Sequence, residues 1–548
     1  MSDALLAAAS AWRDQDPDDE TRDELSSLIR DAEAGSSLAR ADLTDRFAAR
    51  LEFGTAGLRG ALGAGPNRMN RLLVTQAAAG LAAFLVARGQ HPSVVVGYDG
   101  RKNSRAFAID TAEIMSGAGV SVVLLPRLLP TPVLAFAVRF LDVSAGVMVT
   151  ASHNPAADNG YKVYLGDADG GSQIVPPSDG EIAEHITRVA ALDARMLPRS
   201  ADYRVAGEDV LDAYVAETAE LATGGGPRPT FVYTAMHGVG WETAQRVFES
   251  AGFRPPIVVS EQIEPDPNFP TVAFPNPEEP GALDLAFARA RASNADLVIA
   301  NDPDADRLAV GIPTGDGWQR LSGNEVGLLL GWRSAARATK GALACSIVSS
   351  PGLATLAKEY GLDHVETLTG FKWISRTPDL VFGFEEALGY LVDPAVVRDK
   401  DGISAAVDIL SLATELHRDG KSLTDHLEDF ADRFGAFASS QISLRFTDLS
   451  EIPALMSRLR AHPPTMIGGY PVATIDDFDR GFGAFGPNDI LRIWMVDGSR
   501  VVVRPSGTEP KLKAYIDASS TAGSARERMA AAAAIVERLD SGMRELLA

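Results

Sequence analysis

At 548 residues the chain is too long for one hydrophobic core, so two to four domains are expected. Its 46% apolar and 23% charged residues are the balance of an ordinary globular protein. The 51 Lys and Arg against 73 Asp and Glu leave a net charge of −22, which speaks against nucleic acid and anionic membranes as partners and requires any anionic ligand to be held by local basic residues.

The pattern of residues 1–50 predicts helices, with Leu25, Leu28 and Ile29 forming an apolar stripe after the acidic run Asp14 to Glu24. The N-terminus has no basic stretch before Leu5-Leu6, so no signal peptide is expected. Phe53-Gly54-Thr55-Ala56-Gly57-Leu58-Arg59-Gly60 reads as a flexible loop carrying one arginine, since glycines at a spacing of three are not a dinucleotide fingerprint. A helix over Leu72 to Ala87 follows, with Val74 to Ala87 too short and too interrupted to span a bilayer. Strands are expected at Val94 to Val96, before Gly97-Tyr98-Asp99, and at Val120 to Leu125. Strand, helix, strand, helix in this order implies a largely parallel sheet.

Three short apolar strands then end in dense polar loops. Val147-Met148-Val149 runs into Thr150-Ala151-Ser152-His153-Asn154-Pro155. Leu297-Val298-Ile299 runs into Asn301-Asp302-Pro303-Asp304-Ala305-Asp306-Arg307. Leu380-Val381-Phe382 runs into Gly383-Phe384-Glu385-Glu386-Ala387. Three similar α/β units, each offering a loop at the same sheet edge, account for this repeat. Gly224 to Pro229, Gly315 to Gly323 and the change near Gly435 suggest boundaries. The expected domains are 1–205, 206–320, 321–437 and 438–548. The last, with strand-like pieces at 441–446 and 491–496 and a closing helix over 524–547, reads as α+β rather than a fourth copy.

The loops differ in chemistry. Ser152 is a candidate nucleophile at the carboxyl end of a strand. A turn signal, Asp158-Asn159-Gly160, precedes Tyr161 and Lys162. Asp302, Asp304 and Asp306 offer three oxygen ligands at alternate positions, suited to a hard divalent ion such as Mg²⁺. An EF-hand is excluded because Arg307 and Pro313 stand where its glycine and glutamate are required. Glu385 and Glu386, between aromatics and glycines, offer acceptors for polyol hydroxyls, although alone they read more readily as a structural turn. Arg504-Pro505-Ser506-Gly507-Thr508-Glu509-Pro510-Lys511 combines cations, hydroxyls and a glycine, as a phosphate cradle does. Thr369-Gly370-Phe371-Lys372 adds another cation. His237 and the lone Cys345, which lies in an apolar run, read as structural; a single cysteine fits a reducing, cytoplasmic compartment.

Taken in order, these loops resemble those of the α-D-phosphohexomutase superfamily, the phosphoglucomutase and phosphomannomutase group, from Phe53 to Lys511. The resemblance implies three related α/β domains with mixed, largely parallel sheets and a C-terminal α+β domain around a central cleft. Thr150 to Pro155 is similar to the family's phosphoserine loop, Asp302 to Arg307 to its metal loop, Phe384 to Gly389 to its sugar loop and Arg504 to Pro510 to its phosphate loop.

By that resemblance Ser152 carries a phosphoryl group and supplies an oxygen to Mg²⁺ beside Asp302, Asp304 and Asp306. Lys162 is the expected base, with Arg59 a nearby cation, and His153 either orients or replaces it. Arg307 stabilises transferring charge or pairs with the metal-loop carboxylates. Substrate binding falls to Thr369, Gly370, Lys372, Glu385, Ala387, Arg504, Ser506, Gly507, Thr508 and Lys511, and a sugar bisphosphate is the implied activator.

The implied reaction interconverts 1- and 6-phosphates of glucose or mannose. Ala387 departs from the family's hexose enzymes, which have serine there, and Gly370-Phe371-Lys372-Trp373 looks more like the phosphoglucomutase/phosphopentomutase branch. A phosphopentomutase is therefore an alternative. A metal-dependent phosphatase fits less well, since the eight histidines include no H-x-x-x-H pair, and a non-catalytic sensor would have lost the serine or the carboxylates. Monomer and homodimer both remain open.

Overall fold

The structure is a computed structural model that describes residues 3–54, 57–225, 228–448, 450–506 and 511–548. It divides into two compact units, residues 1–320 with 389–411, and residues 321–388 with 412–548.

In the first unit, three helices, Asp3–Arg13, Asp19–Glu33 and Ser37–Ala48, bury Leu25, Ile29 and Leu43 against one another, with Leu28 partly buried beside them. Asp18 and Ser36 cap the second and third by accepting from Glu20 N and Ala39 N, which satisfies amides the first turn leaves without partners. A mixed sheet follows. Its centre is parallel, with Ser93–Tyr98 flanked by Ala145–Val149 and Ser121–Leu124. Asp158–Leu165 then returns antiparallel to Ala145–Val149, and Leu58–Ala61 pairs antiparallel with it.

Ala145–Val149 is buried at every position, which explains an unbroken apolar run where a half-exposed strand would alternate. Two readings change here. The turn signal at Asp158-Asn159-Gly160 is the start of a strand, because pairing with Leu58–Ala61 and Ala145–Val149 outweighs local turn preference. Arg59 correspondingly sits on a strand rather than a flexible loop. The helix Arg71–Arg88 has the length and mean hydropathy of a membrane span, but 72% of it is buried inside the structure, so its apolar character belongs to the core beneath the sheet.

A second sheet in this unit runs Gly317–Arg320, Leu308–Thr314, Leu297–Asn301, Phe231–Thr234, Ile257–Val258, with the last three parallel. Leu297–Asn301 is again buried throughout, and its partner Leu308–Thr314 is antiparallel.

The second unit has a parallel core in which Ala342–Ser346 lies between Asp363–Thr367 and Leu380–Glu385. The helix Gly323–Arg337 opens with a capping box in which Ser322 and Glu325 serve each other's backbone amides. Cys345 is buried here, as its apolar run predicts, and burial pushes its thiol up. The remainder is an antiparallel sheet, Ala436–Arg445, Lys511–Ser520, Arg500–Pro505, Leu491–Met495, Tyr470–Asp477, Met466–Ile467, backed by Glu451–Ala461 and Ala525–Leu547. It is α+β, unlike the three α/β sheets before it.

Candidate active site

Each of the three repeat strands delivers its polar loop from the carboxyl end of a parallel strand pair, where the sheet backbone stops and side chains are free to converge. In the first unit two of these loops meet. Ser152 closes a turn in which Asn154 N donates to Ala151 O, and its φ is +52°, an uncommon conformation for a residue with a β-carbon. Its Oγ donates to Asp302 Oδ2 at 2.9 Å and lies 3.2 Å from His153 Nδ1. Ser152 is 2% exposed, so this contact is sheltered from bulk water.

The metal-loop carboxylates are all buried, and the three offer one oxygen each within 4.8 Å of one another. Asp302 Oδ1 accepts from Arg307 N, and Thr131 Oγ1 donates to Asp304 Oδ2 at 2.6 Å. Lys162 Nζ lies 2.7 Å from Asp304 Oδ2 and 2.7 Å from Asp306 Oδ2, and Lys400 Nζ lies 2.7 Å from that same Asp306 oxygen.

The electrostatics follow from burying three like charges together. On Asp302, burial and then the repulsion of Asp306 and Asp304 push the carboxyl well above its usual range. On Asp306, burial opposes ionisation, but Lys162, Lys400 and Arg307 outweigh it and hold the carboxyl low. On Asp304, burial and Asp306 are outweighed by the two lysines. A divalent cation relieves this kind of competition. The buried Oδ1 atoms of Asp304 and Asp306 have no hydrogen-bond partner among the described residues, so the cluster retains hard oxygen donors for a metal, and the residues fit one.

His153 is flanked by cations. Burial, then Arg307 and Arg59, keep its imidazole well below the ordinary range, so the ring beside Ser152 is neutral. Arg307 Nη2 approaches His153 Nε2 at 3.5 Å, Nη1 approaches Glu278 at 3.5 Å, and Nε is 4.0 Å from Asp302. Arg59 Nη1 donates to Asn154 Oδ1 at 3.3 Å, and its register opposite Gly160 sets it beside the serine loop. The glycine before this strand has a local reason. Gly57 has a φ of +107°, and a β-carbon there would lie 1.8 Å from Tyr161 O. Thr55 and Ala56 lie outside the described residues.

The second unit holds the other candidates. Gly370 N donates to Glu385 Oε1 at 2.7 Å, so the 369–372 segment and the sugar loop are joined. Lys372 is buried and lies over the Trp373 ring. The two adjacent glutamates separate in role. Glu386 Oε2 accepts from Ser349 Oγ at 3.0 Å and Ser346 Oγ at 3.2 Å, which ties it into the scaffold. Arg504 is the penultimate residue of the strand Arg500–Pro505, and Ser506 N donates to Lys511 O at 2.8 Å, closing the base of the next loop. Gly507 and Thr508, both expected in the phosphate cradle, lie outside the described residues.

Three residues beside the serine and metal loops escaped the sequence reading. Thr131 looks like a turn residue, and only the fold brings it to Asp304. Lys400 lies between Asp399 and Asp401 in the alternating run Arg398-Asp399-Lys400-Asp401, whose dense charge is a usable signal. Arg101 follows Gly97-Tyr98-Asp99, another strand ending in a polar loop. His237 Nε2 lies 2.8 Å from Thr271 Oγ1.

A buried serine, a three-carboxylate cluster and flanking cations on successive α/β sheets are an arrangement suited to phosphoryl transfer. The chain matches phosphoglucomutase/phosphomannomutase alpha/beta/alpha domains I, II and III over residues 50–193, 212–315 and 322–434, and the C-terminal domain of that group over 449–534. It belongs to the phosphoglucomutase/phosphomannomutase family, whose members are isomerases. It is 54% identical over 485 residues to a probable phosphomannomutase of Haemophilus influenzae, covering 87% of this chain and 98% of that one. It is 35% identical to human phosphopentomutase, covering 88% and 87% respectively. A putative phosphomannomutase of Thermus thermophilus has the same fold, with a TM-score of 0.70 at 24% identity over 91% of this chain and 99% of that chain.

Proposed function

We propose that this protein is a phosphohexomutase that interconverts the 1- and 6-phosphates of glucose or mannose. The observation that carries the reading is the 2.9 Å contact of Ser152 Oγ with Asp302, inside the buried three-carboxylate cluster of a chain belonging to this family. Identity of 54% to a probable phosphomannomutase supports the hexose class.

In this reading Ser152 carries a phosphoryl group in the resting enzyme. The free hydroxyl of a sugar monophosphate attacks phosphorus, the P–Oγ bond breaks, and the hydroxyl proton passes to a base. The product is a sugar bisphosphate. After it turns end over end, Ser152 Oγ attacks the other phosphate and recovers the phosphoryl group, releasing the isomeric monophosphate. Lys162, whose Nζ pairs with Asp304 and Asp306, is assigned as the base once a divalent cation takes over those carboxylates. His153, neutral and 3.2 Å from Oγ, orients the serine and is the second candidate. Arg307 and Arg59 supply positive charge where the transferring group develops negative charge.

Asp302, Asp304, Asp306 and an oxygen of phosphorylated Ser152 would hold Mg²⁺, which when bound withdraws charge from the leaving oxygen. We assign Glu385, Thr369, Gly370 and Lys372 to the sugar and Arg504, Ser506, Gly507, Thr508 and Lys511 to the phosphate that is not being transferred. A sugar bisphosphate recharges enzyme that has lost its phosphoryl group, and the protein works in the cytoplasm.

The test is intact mass of the purified enzyme, before and after sugar bisphosphate, together with assay on glucose, mannose and ribose 1-phosphates. A phosphoryl adduct at Ser152 and conversion of a hexose phosphate are expected. No adduct and release of inorganic phosphate alone would identify a phosphatase. Conversion confined to the pentose would identify the phosphopentomutase that Ala387 and the 35% identical relative leave as the second reading.

A further inference from the structure

Arg101 is a buried guanidinium, 4% exposed, at the end of the strand Ser93–Tyr98. It donates to three backbone carbonyls of the serine loop and to that of Asp158, where the next strand begins. Nη2 reaches Ser152 O and Asn154 O, both at 2.6 Å, and Nη1 reaches Pro155 O at 2.8 Å and Asp158 O at 3.2 Å. Asp99 Oδ2 lies 3.5 Å from its Nε, and the ring of Phe269 lies 4.9 Å from the guanidinium carbon. Asp99 is itself held, accepting from Ser104 Oγ at 2.6 Å and from Arg101 N at 3.0 Å.

A planar fork of donors in one place fixes the direction of every carbonyl it binds. Peptide planarity then fixes the groups between them. With Ser152 O and Asn154 O turned to the guanidinium, the serine is held at its positive φ, a conformation its β-carbon disfavours and which a loose loop would leave. In this conformation Oγ meets Asp302 Oδ2. A lysine keeps the charge but has neither the fork nor the reach to hold four carbonyls at once.

We infer that Arg101 is a positioning residue for phosphoryl transfer, gathering the carbonyls of the 152–158 loop so that Ser152 Oγ is presented to the metal-loop carboxylates. This rests on Ser152 being the phosphoryl carrier. The bonding also keeps a positive charge beneath the loop, close enough to Asp304 and Asp302 for each to act on it electrostatically.

The experiment compares Arg101→Lys with Arg71→Lys, whose guanidinium pairs with buried Asp110 elsewhere in the same unit. Both variants are measured for Tm, for kcat and KM, and for the single-turnover rate of phosphoryl transfer from sugar bisphosphate to Ser152 by intact mass. Arg101→Lys is expected to lower kcat and the single-turnover rate by roughly 10- to 100-fold, the scale of an ångström-sized misplacement, with KM within about threefold. Arg71→Lys should lower Tm with kcat nearly unchanged. Phe269→Leu, which removes the ring against the guanidinium, serves if Arg101→Lys does not fold, and should lower kcat in the same sense. If the folded Arg101 or Phe269 variant loses no more kcat than Arg71→Lys, the inference is overturned. If wild type takes up no phosphoryl group at Ser152, the reading of the site fails instead.

Discussion

Ser152 Oγ and Asp302 Oδ2, 150 residues apart in the chain, lie 2.9 Å apart in a setting closed to bulk water. The pair joins the loop that bears the proposed nucleophile to the loop suited to a cation. Substituting the serine removes the hydroxyl proposed to carry the phosphoryl group. Ser152→Ala should reduce mutase turnover by at least about a thousandfold while leaving Tm close to wild type, since the residue occupies a loop and its hydroxyl is small. Activity near the wild-type rate in a sample verified by mass would refute the assignment.

Removal of divalent metal should stop turnover, and Mg²⁺ should restore it. Asp304→Asn deletes one charge from a site of three and should weaken metal binding by at least the roughly 10–100-fold that losing an outer-shell partner costs. Calorimetric titration with Mg²⁺ reads this directly. An unchanged affinity would remove Asp304 from the ligand set.

Ala387 bears on substrate range. A methyl group there offers no hydrogen bond to a sugar hydroxyl, and an apolar wall discriminates weakly against a sugar lacking that hydroxyl. The enzyme should therefore act measurably on a pentose 1-phosphate as well as on hexose 1-phosphates. One lost hydrogen bond, roughly 0.5–1.5 kcal/mol, corresponds to a preference of about two- to twelvefold. Ala387→Ser should shift the ratio of kcat/KM for glucose 1-phosphate over ribose 1-phosphate towards hexose by that amount. Wild type inactive on pentoses, with no shift in the variant, would contradict it.

Asp401 should give the stability a pH dependence. It is buried, accepts from Tyr214 Oη at 3.0 and 2.9 Å, and accepts from Ile403 N and Ser404 N at the start of the helix Gly402–Arg418. Burial outweighs these bonds and pushes its carboxyl up to about 6 from an ordinary 3.8. A raised carboxyl binds its proton more tightly in the folded state, so its contribution is complete below about pH 4 and is lost as pH rises through about 6. The loss is on the order of 3 kcal/mol. The difference in unfolding free energy between wild type and Asp401→Asn should therefore move in favour of the variant between pH 4 and 6.5 and stay level above. A difference independent of pH in denaturant melts would show that Asp401 ionises alike in both states.

Gly323 tests the seating of the sugar loop. A β-carbon there would stand 1.8 Å from Glu386 O, so backbone must move. Gly323→Ala should cost about 1–3 kcal/mol of stability and raise KM for the sugar phosphate through Glu385. Gly180→Ala, in the helix Ser178–Ala190 with nothing within 4 Å of the added carbon, should be neutral or stabilising by about 0.5–1 kcal/mol. Equal melting temperatures for the two variants would exclude the clash.

Residue order alone determines where apolar strands run into polar loops, because a strand buried on both faces must be apolar along its length, as 145–149 and 297–301 are. It also singles out Ser152 and the three aspartates, since a strand running into a polar loop is a pattern of a few consecutive positions. Tertiary structure alone decides which side chains meet. Asp158 to Gly160 reads as a turn, yet two neighbouring strands supply the hydrogen bonds that make it a strand and turn Lys162 onto Asp304 and Asp306. Lys400, Thr131 and Arg101 join the serine and metal loops from distant segments. Glu385 and Glu386, alike in sequence, part because one meets Gly370 N and the other Ser346 and Ser349. Local pattern reflects burial and backbone preference, whereas these pairings arise from the energy of satisfying buried charges and polar groups, which depends on neighbours that only the folded chain supplies.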